Sequence, residues 1–180
     1  MDNQQVTDLE LGWLVGAIDG EGCVGITRRN RKECAKTLGF TLKPHVQIAN
    51  CDIEFINRCS NILKKLETPF HISHYSAKTR QRESWQIVIA GLKRVVKILP
   101  IINPHLVGEK KEKALLVYEF CTSRLSDWHA APFTKRELDL YNQVALLNRK
   151  GHKSQDLRDY TRNSRSSKFP RKDIVQTTTE

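Results

Sequence analysis

The sequence predicts an α+β fold in the order αββαββα, with a four-stranded antiparallel sheet followed by C-terminal helices and a basic tail. Three observations carry this expectation. An apolar run at helical spacing opens the chain, and two pairs of alternating segments follow, each split by a charged turn. Each pair then leads into a segment whose apolar residues return to helical spacing.

The first helix begins near Thr7, with Thr7 or Asp8 as N-cap and Glu10 completing a capping-box pattern, and it is expected to run to about Asp19 and end at Gly20. The segments 23–29 and 42–50 then read as a long hairpin joined by a basic loop through Lys36. Asp52 is placed to cap a second helix, in which Ile53, Phe55, Ile56, Ile62, Leu63 and Leu66 share helical spacing. A second strand pair follows, split at Thr79 to Arg82, and then a short helix that Pro100 is expected to stop. Two more helices, KKEKALLVYEFCTSR and TKRELDLYNQVALLNRK, precede a polar, basic stretch without apolar periodicity. The expected organisation is a core over 1–125, a helical extension over 126–150 and the tail over 151–180.

Composition narrows the partners. The 180 residues include 30 lysines and arginines against 20 acids, and the net charge of +10 favours a polyanion, with nucleic acid leading. The five cysteines are scattered and form no C-x-x-C pair, which argues against a disulfide framework or a zinc site. His71 and His74, three apart on a strand, point to opposite faces and make a zinc site with Cys51 or Cys59 unattractive. The N-terminal residues are acidic and polar, with neither a signal-peptide core nor an arginine-rich transit pattern, so an intracellular protein is expected, cytoplasmic or organellar. The apolar run from Leu11 to Ile18 is too short to span a bilayer, and no membrane or small-molecule cofactor is expected.

The stretch LGWLVGAIDGEG carries the most chemistry. Gly12, Gly16 and Gly20 stack on one helix face, with Ala17 widening the stripe and Trp13 beside it. Interior helix glycines are each unfavourable by about 1 kcal/mol relative to alanine, so the stripe implies a close partner, either another element of this chain or a second copy of the helix. Asp19 and Glu21 lie where helix carbonyls already present negative charge. Two such helix ends meeting on a two-fold axis call for cations, and oxygen-only ligands suit Mg²⁺.

These residues carry a resemblance. LVGAIDGEG, Leu14 to Gly22, is similar to the LAGLIDADG motif of homing endonucleases, with Leu14, Gly16, Ile18, Asp19 and Gly22 matching and Glu21 in the place of the final acid. The αββαββα order extends the likeness over roughly residues 6–125, with one copy of the motif. The resemblance implies a homodimer joined through Gly12, Trp13, Gly16, Ala17 and Gly20. It also implies Mg²⁺-dependent double-strand cleavage of a long, near-palindromic DNA site across the minor groove, with Ca²⁺ or Mn²⁺ able to occupy the metal site. Glu21 and the Gly20 carbonyl correspond to the metal ligands, and Asp19 to a residue orienting the helix end. Lys110 is the best match to a supporting catalytic lysine, with Lys111 and Lys113 as alternatives, and Asn50 falls where relatives orient water. Where relatives carry an arginine just inside the following helix this chain has Glu54, with Arg58 one turn on.

Strand alternation nominates the DNA-facing residues. Gly25, Thr27, Arg29 and Arg31 share one parity of the first strand, opposite Val24 and Ile26. Thr41, Lys43, His45 and Gln47 share the polar parity of the second. In the second pair Trp85, Ile87 and Ile89 are expected inside, leaving Arg82, Ser84 and Gln86 outside with His71, Ser73 and Tyr75. Lys78 and Arg80 in the intervening turn add positive charge. Arg29 suits guanine and Gln47 adenine in bidentate contacts. Trp13, Trp85 and Trp128 read as core residues rather than base-stacking platforms. The tail reads equally as a solvated end or an arm tracking phosphates. The expected function is a homodimeric, intron-encoded, site-specific endonuclease. The alternative is a non-cleaving nucleic-acid binder of the same fold, such as an intron maturase or a transcription regulator.

Overall fold

The expected helix–strand–strand alternation is present in a computed structural model that describes residues 5–30, 39–77, 82–126 and 132–148. Helix α1 (Asp8–Glu21) leads without a loop into strand β1 (Gly22–Asn30), which pairs with β2 (Phe40–Asn50). Helix α2 (Ile53–Lys65), strands β3 (His71–Tyr75) and β4 (Ser84–Ala90) and helix α3 (Leu92–Ile102) follow. A 3-10 turn at Asn103–His105 leads to helices α4 (Gly108–Ser126) and α5 (Lys135–Leu147). The four strands form one antiparallel sheet in the order β1-β2-β4-β3. Arg31, Lys36, Lys78, Arg80, Trp128 and the basic tail lie outside the described residues.

Local signals account for most of the boundaries. At α1 the Glu10 N–H donates to Thr7 Oγ1 at 3.2 Å and the Thr7 N–H donates to Glu10 Oε2 at 3.0 Å, a complete capping box. Thr134 and Glu137 repeat the device at α5, and Asp52 Oδ1 accepts the Glu54 N–H at the start of α2. Two expected ends move. The first helix continues through Gly20 to Glu21, because the chain can turn straight into β1 at Gly22. Helix α3 passes through Pro100 to Ile102. The missing N–H falls in the last turns, and burial of Leu99 and Ile102 holds those turns against the core.

The helices gather on one face of the sheet around a single apolar cluster. Leu14 and Ile18 of α1 meet Val24, Val46, Ile48, Ile87 and Ile89 from the strands, with Ile56 and Leu63 of α2 and Phe120 of α4. Leu140 and Val144 of α5 belong to the same cluster, so the helical extension expected beyond residue 125 shares the core of the first domain. A buried ion pair joins the last two helices: Arg124 Nη1 lies 3.5 Å from Glu137 Oε2, and the Arg124 guanidinium covers the Phe133 ring.

Gly22 is required by space and not by its dihedral angles, which are extended (φ −94°, ψ 162°). A Cβ there would stand 2.5 Å from the Ile18 carbonyl oxygen and 2.7 Å from its Cα, both backbone atoms. Gly22→Ala is expected to destabilise the fold by about 1–3 kcal/mol, read as a lower urea midpoint at unchanged slope.

Candidate active site and nucleic-acid interface

The site is built on the C-terminal end of α1. Its last turn holds no basic residue but carries Asp19 and Glu21 beside the outward-pointing carbonyls, an arrangement that a helix by itself disfavours. The balancing cation comes from α4. Lys110 Nζ donates to the Ile18 carbonyl at 2.7 Å and to the Asp19 carbonyl at 2.6 Å, while the Gly22 N–H also donates to Ile18. Gly108, at φ +56°, turns the chain into α4 so that Lys110 sits in its first turn. Burial pushes the Lys110 ammonium below the usual lysine value, and Lys113 adds to this; the negative charges of Asp19, Cys23 and Glu21 oppose it. Of the three candidate lysines, Lys110 is thus the one that touches the motif helix, whereas Lys111 is exposed.

Glu21 and Gly20 are exposed at this end of the helix. A carboxylate and a backbone carbonyl are hard oxygen donors that fit Mg²⁺, but they fill only part of its coordination shell. Among the described residues no three His, Cys, Asp or Glu side chains come together as a metal cluster.

Among the described residues no other element faces the glycine stripe. A Cβ added at Gly12, Gly16 or Gly20 would meet no atom within 4 Å among the described residues, so of the two partners left open by the sequence, another element of this chain is not found. Leu9, three residues before Gly12 and on the same face, is 79% exposed, a feature that sequence reasoning missed. Two expected interface residues are placed otherwise. Ala17 is buried in the chain's own core, and Trp13 is half-buried with its ring 5.2 Å from that of Phe55. Arg58 stacks on Trp13, its Cζ 4.3 Å from the ring centroid. Trp13 precedes Glu21 by eight residues of helix, a rise of about 12 Å, so Arg58 does not replace the arginine displaced by Glu54.

The other sheet face carries most of the expected polar residues. Thr27, Arg29, Lys43, His71, Tyr75 and Arg82 are exposed, and Thr41, Gln47, Ser73, Ser84 and Gln86 are half-buried. The register places them together: Thr27 lies opposite Lys43, Arg29 opposite Thr41, Ser73 opposite Gln86 and Tyr75 opposite Ser84. His71 Nε2 is 2.8 Å from Ser73 Oγ. A diagonal of hydrogen bonds crosses three strands, in which Tyr75 Oη donates to Gln86 Oε1 and Gln86 Nε2 donates to Gln47 Oε1, each at 3.2 Å.

Gly25 and His45 depart from this pattern. They lie opposite one another and both are buried, because the imidazole fills the space that Gly25 leaves and Asn148, at the end of α5, comes up to the same spot. His45 Nδ1 is 3.3 Å from Thr27 Oγ1 and 3.4 Å from the Lys43 carbonyl. The pair is thus a packed part of this face and not an exposed reader. Asn50 also differs: its parity is that of buried Ile48, and its Oδ1 accepts the Asp52 N–H at 2.9 Å, which shapes the turn into α2.

A model of the LAGLIDADG endonuclease family matches residues 14–121. The fold is similar to that of the homing endonuclease I-CvuI, solved with its target in the presence of Ca, at TM-score 0.62 and 20% identity over 86% of this chain and 91% of that one. It is also similar to the archaeal intron-encoded homing endonuclease I-Vdi141I complexed with DNA, at TM-score 0.65 and 18% identity over 84% and 92% of the two chains. The group I intron-encoded I-CeuI, complexed with DNA, matches at TM-score 0.62 and 15% identity over 86% and 74%. No curated protein matches the sequence.

Burial holds the His45 imidazole below its usual value of 6.5, against the opposing hydrogen bond to the Lys43 carbonyl. Between that lowered value and 6.5 the unfolded chain binds more protons than the folded one, so stability falls as pH drops through this window. Acidification from about pH 7.5 to about pH 5.5 is expected to lower the Tm of the wild type more than that of His45→Gln, measured side by side.

Proposed function

Because the chain belongs to the LAGLIDADG endonuclease family, we propose that it is a homing endonuclease that makes a Mg²⁺-dependent double-strand break in a long, near-palindromic DNA site as a homodimer. The observation that carries this reading is the bare glycine stripe ending in Glu21. Nothing in the described chain opposes Gly12, Gly16 or Gly20, and exposed helix glycines each disfavour the helix by about 0.5–1 kcal/mol relative to alanine. A second copy of α1, with Leu9 at one end of the contact, explains why they stand there. It also brings two Glu21 carboxylates and two Gly20 carbonyls together, which supplies the ligands that one chain lacks.

In this reading Glu21 and the Gly20 carbonyl hold the divalent cation, and Asp19 orients the helix end. Such a cation supplies Lewis-acid stabilisation of charge developing on the phosphate oxygens. Lys110 fixes the last turn of α1 through the Ile18 and Asp19 carbonyls and adds positive charge beside the scissile phosphate. Asn50 is the residue that orients the attacking water. Thr27, Arg29, Thr41, Lys43, Gln47, Ser84 and Gln86 lie along the DNA, joined by His71, Ser73, Tyr75 and Arg82, and a two-fold dimer reads half-sites related by the same symmetry. The basic sequence after Asn148 adds positive charge suited to phosphate contacts. Work on DNA places the protein inside the cell, and among the described residues no helix is long and apolar enough to cross a membrane.

The test incubates the full chain with the intron-free version of its own insertion locus in Mg²⁺ and in Ca²⁺. Cutting at one site in Mg²⁺ is expected, with Glu21→Gln slower by about a hundredfold or more while still binding the duplex. Binding without cutting in any metal identifies a binder of the same fold instead. Gly16→Leu is expected to weaken self-association about tenfold or more in sedimentation and to lower cutting with it; a fully active dimer overturns the account of the stripe.

A further inference from the structure

The diagonal Tyr75–Gln86–Gln47 crosses β3, β4 and β2 on the face opposite the helices, and its geometry goes beyond strand alternation. The register sets Gln47 opposite Val88 and Tyr75 opposite Ser84, so Gln86 stands diagonally between them, within reach of both. Each hydrogen bond constrains the next. Gln86 uses its amide oxygen to accept from Tyr75 and its amide nitrogen to donate to Gln47, whose NH₂ is therefore the end turned away from Gln86. Were Gln86 to flip alone, its oxygen would face the oxygen of Gln47. The two amides therefore reverse together or not at all, and the Tyr75 hydroxyl, able to donate or accept, closes the chain in either sense.

We propose that Tyr75, Gln86 and Gln47 read DNA as one coupled unit, in which the Tyr75 hydroxyl anchors Gln86 and through it the Gln47 amide, sharpening the base preference at the position that Gln47 contacts, a strand and more away. This rests on the reading of this sheet face as the DNA-binding face. With its NH₂ outward Gln47 favours base edges that accept, such as guanine N7 and O6 or adenine N7; reversed, it favours the donors on adenine N6 or cytosine N4. The base that Gln47 meets and the base that Gln86 meets are thus selected as a pair.

The experiment selects duplexes from a randomised pool with the full-length protein in Ca²⁺ and compares base frequencies in the bound fraction. Gln47→Ala locates the positions that Gln47 reads. Tyr75→Phe, which keeps the ring at an exposed strand end, is expected to lower the preference at those same positions about fivefold. Gln86→Leu is expected to do the same, and adding Tyr75→Phe to it to change nothing further there. If Tyr75→Phe alters only other positions, or Gln47→Ala alters none, the coupling is overturned while DNA reading stands. If the wild-type protein enriches no sequence, the DNA-reading face itself falls, and the coupling with it.

Discussion

A lysine on the C-terminal end of the first helix is the interaction on which the rest depends. The last turn of α1 gathers carbonyls and two carboxylates at one point, where the helix dipole already disfavours negative charge. Lys110 answers this with two short hydrogen bonds from α4, reached across 92 residues of sequence. The contact ties α4 to the turn that carries buried Ile18 and leaves Glu21 exposed at the helix end. Desolvation of the ammonium accompanies that contact.

Glycine serves two different constraints within one helix. Gly22 is where the helix becomes a strand with no intervening residue, and any side chain there collides with the Ile18 backbone. Gly12, Gly16 and Gly20 collide with nothing, so their absence of side chains has no use inside the described chain. The first constraint belongs to folding, and the second is what the proposed homodimer would use. Both lie within ten residues of Glu21.

The sheet separates structure from recognition by face. Helices cover one side, and on the other a polar surface runs from Thr27 to Tyr75. Its interruption at Gly25 and His45 has a packing cause, since a glycine on the edge strand leaves room for the opposite imidazole and α5 ends over it. The surface is also internally bonded, with Tyr75, Gln86 and Gln47 linked across three strands. A face that orders its own side chains in advance reduces the entropy lost when a ligand binds there.

Much of this protein was legible in its sequence, because the signals are local. The capping residues Thr7 and Asp52, the period-two strands and the glycine spacing each act over a few residues, and they pointed to the fold and the motif helix. Lys110 was picked among three candidates by resemblance, but only the packing of α4 on α1 singled it out by contact. The run of α3 through Pro100, the burial of His45 and Ala17, the diversion of Asn50 into a turn and the diagonal from Tyr75 to Gln47 were decided by tertiary structure. The reason is physical: alternation assigns a residue to a face but not what covers that face, and helical spacing assigns a stripe but not what meets it. Those depend on elements that approach one another only when the core closes.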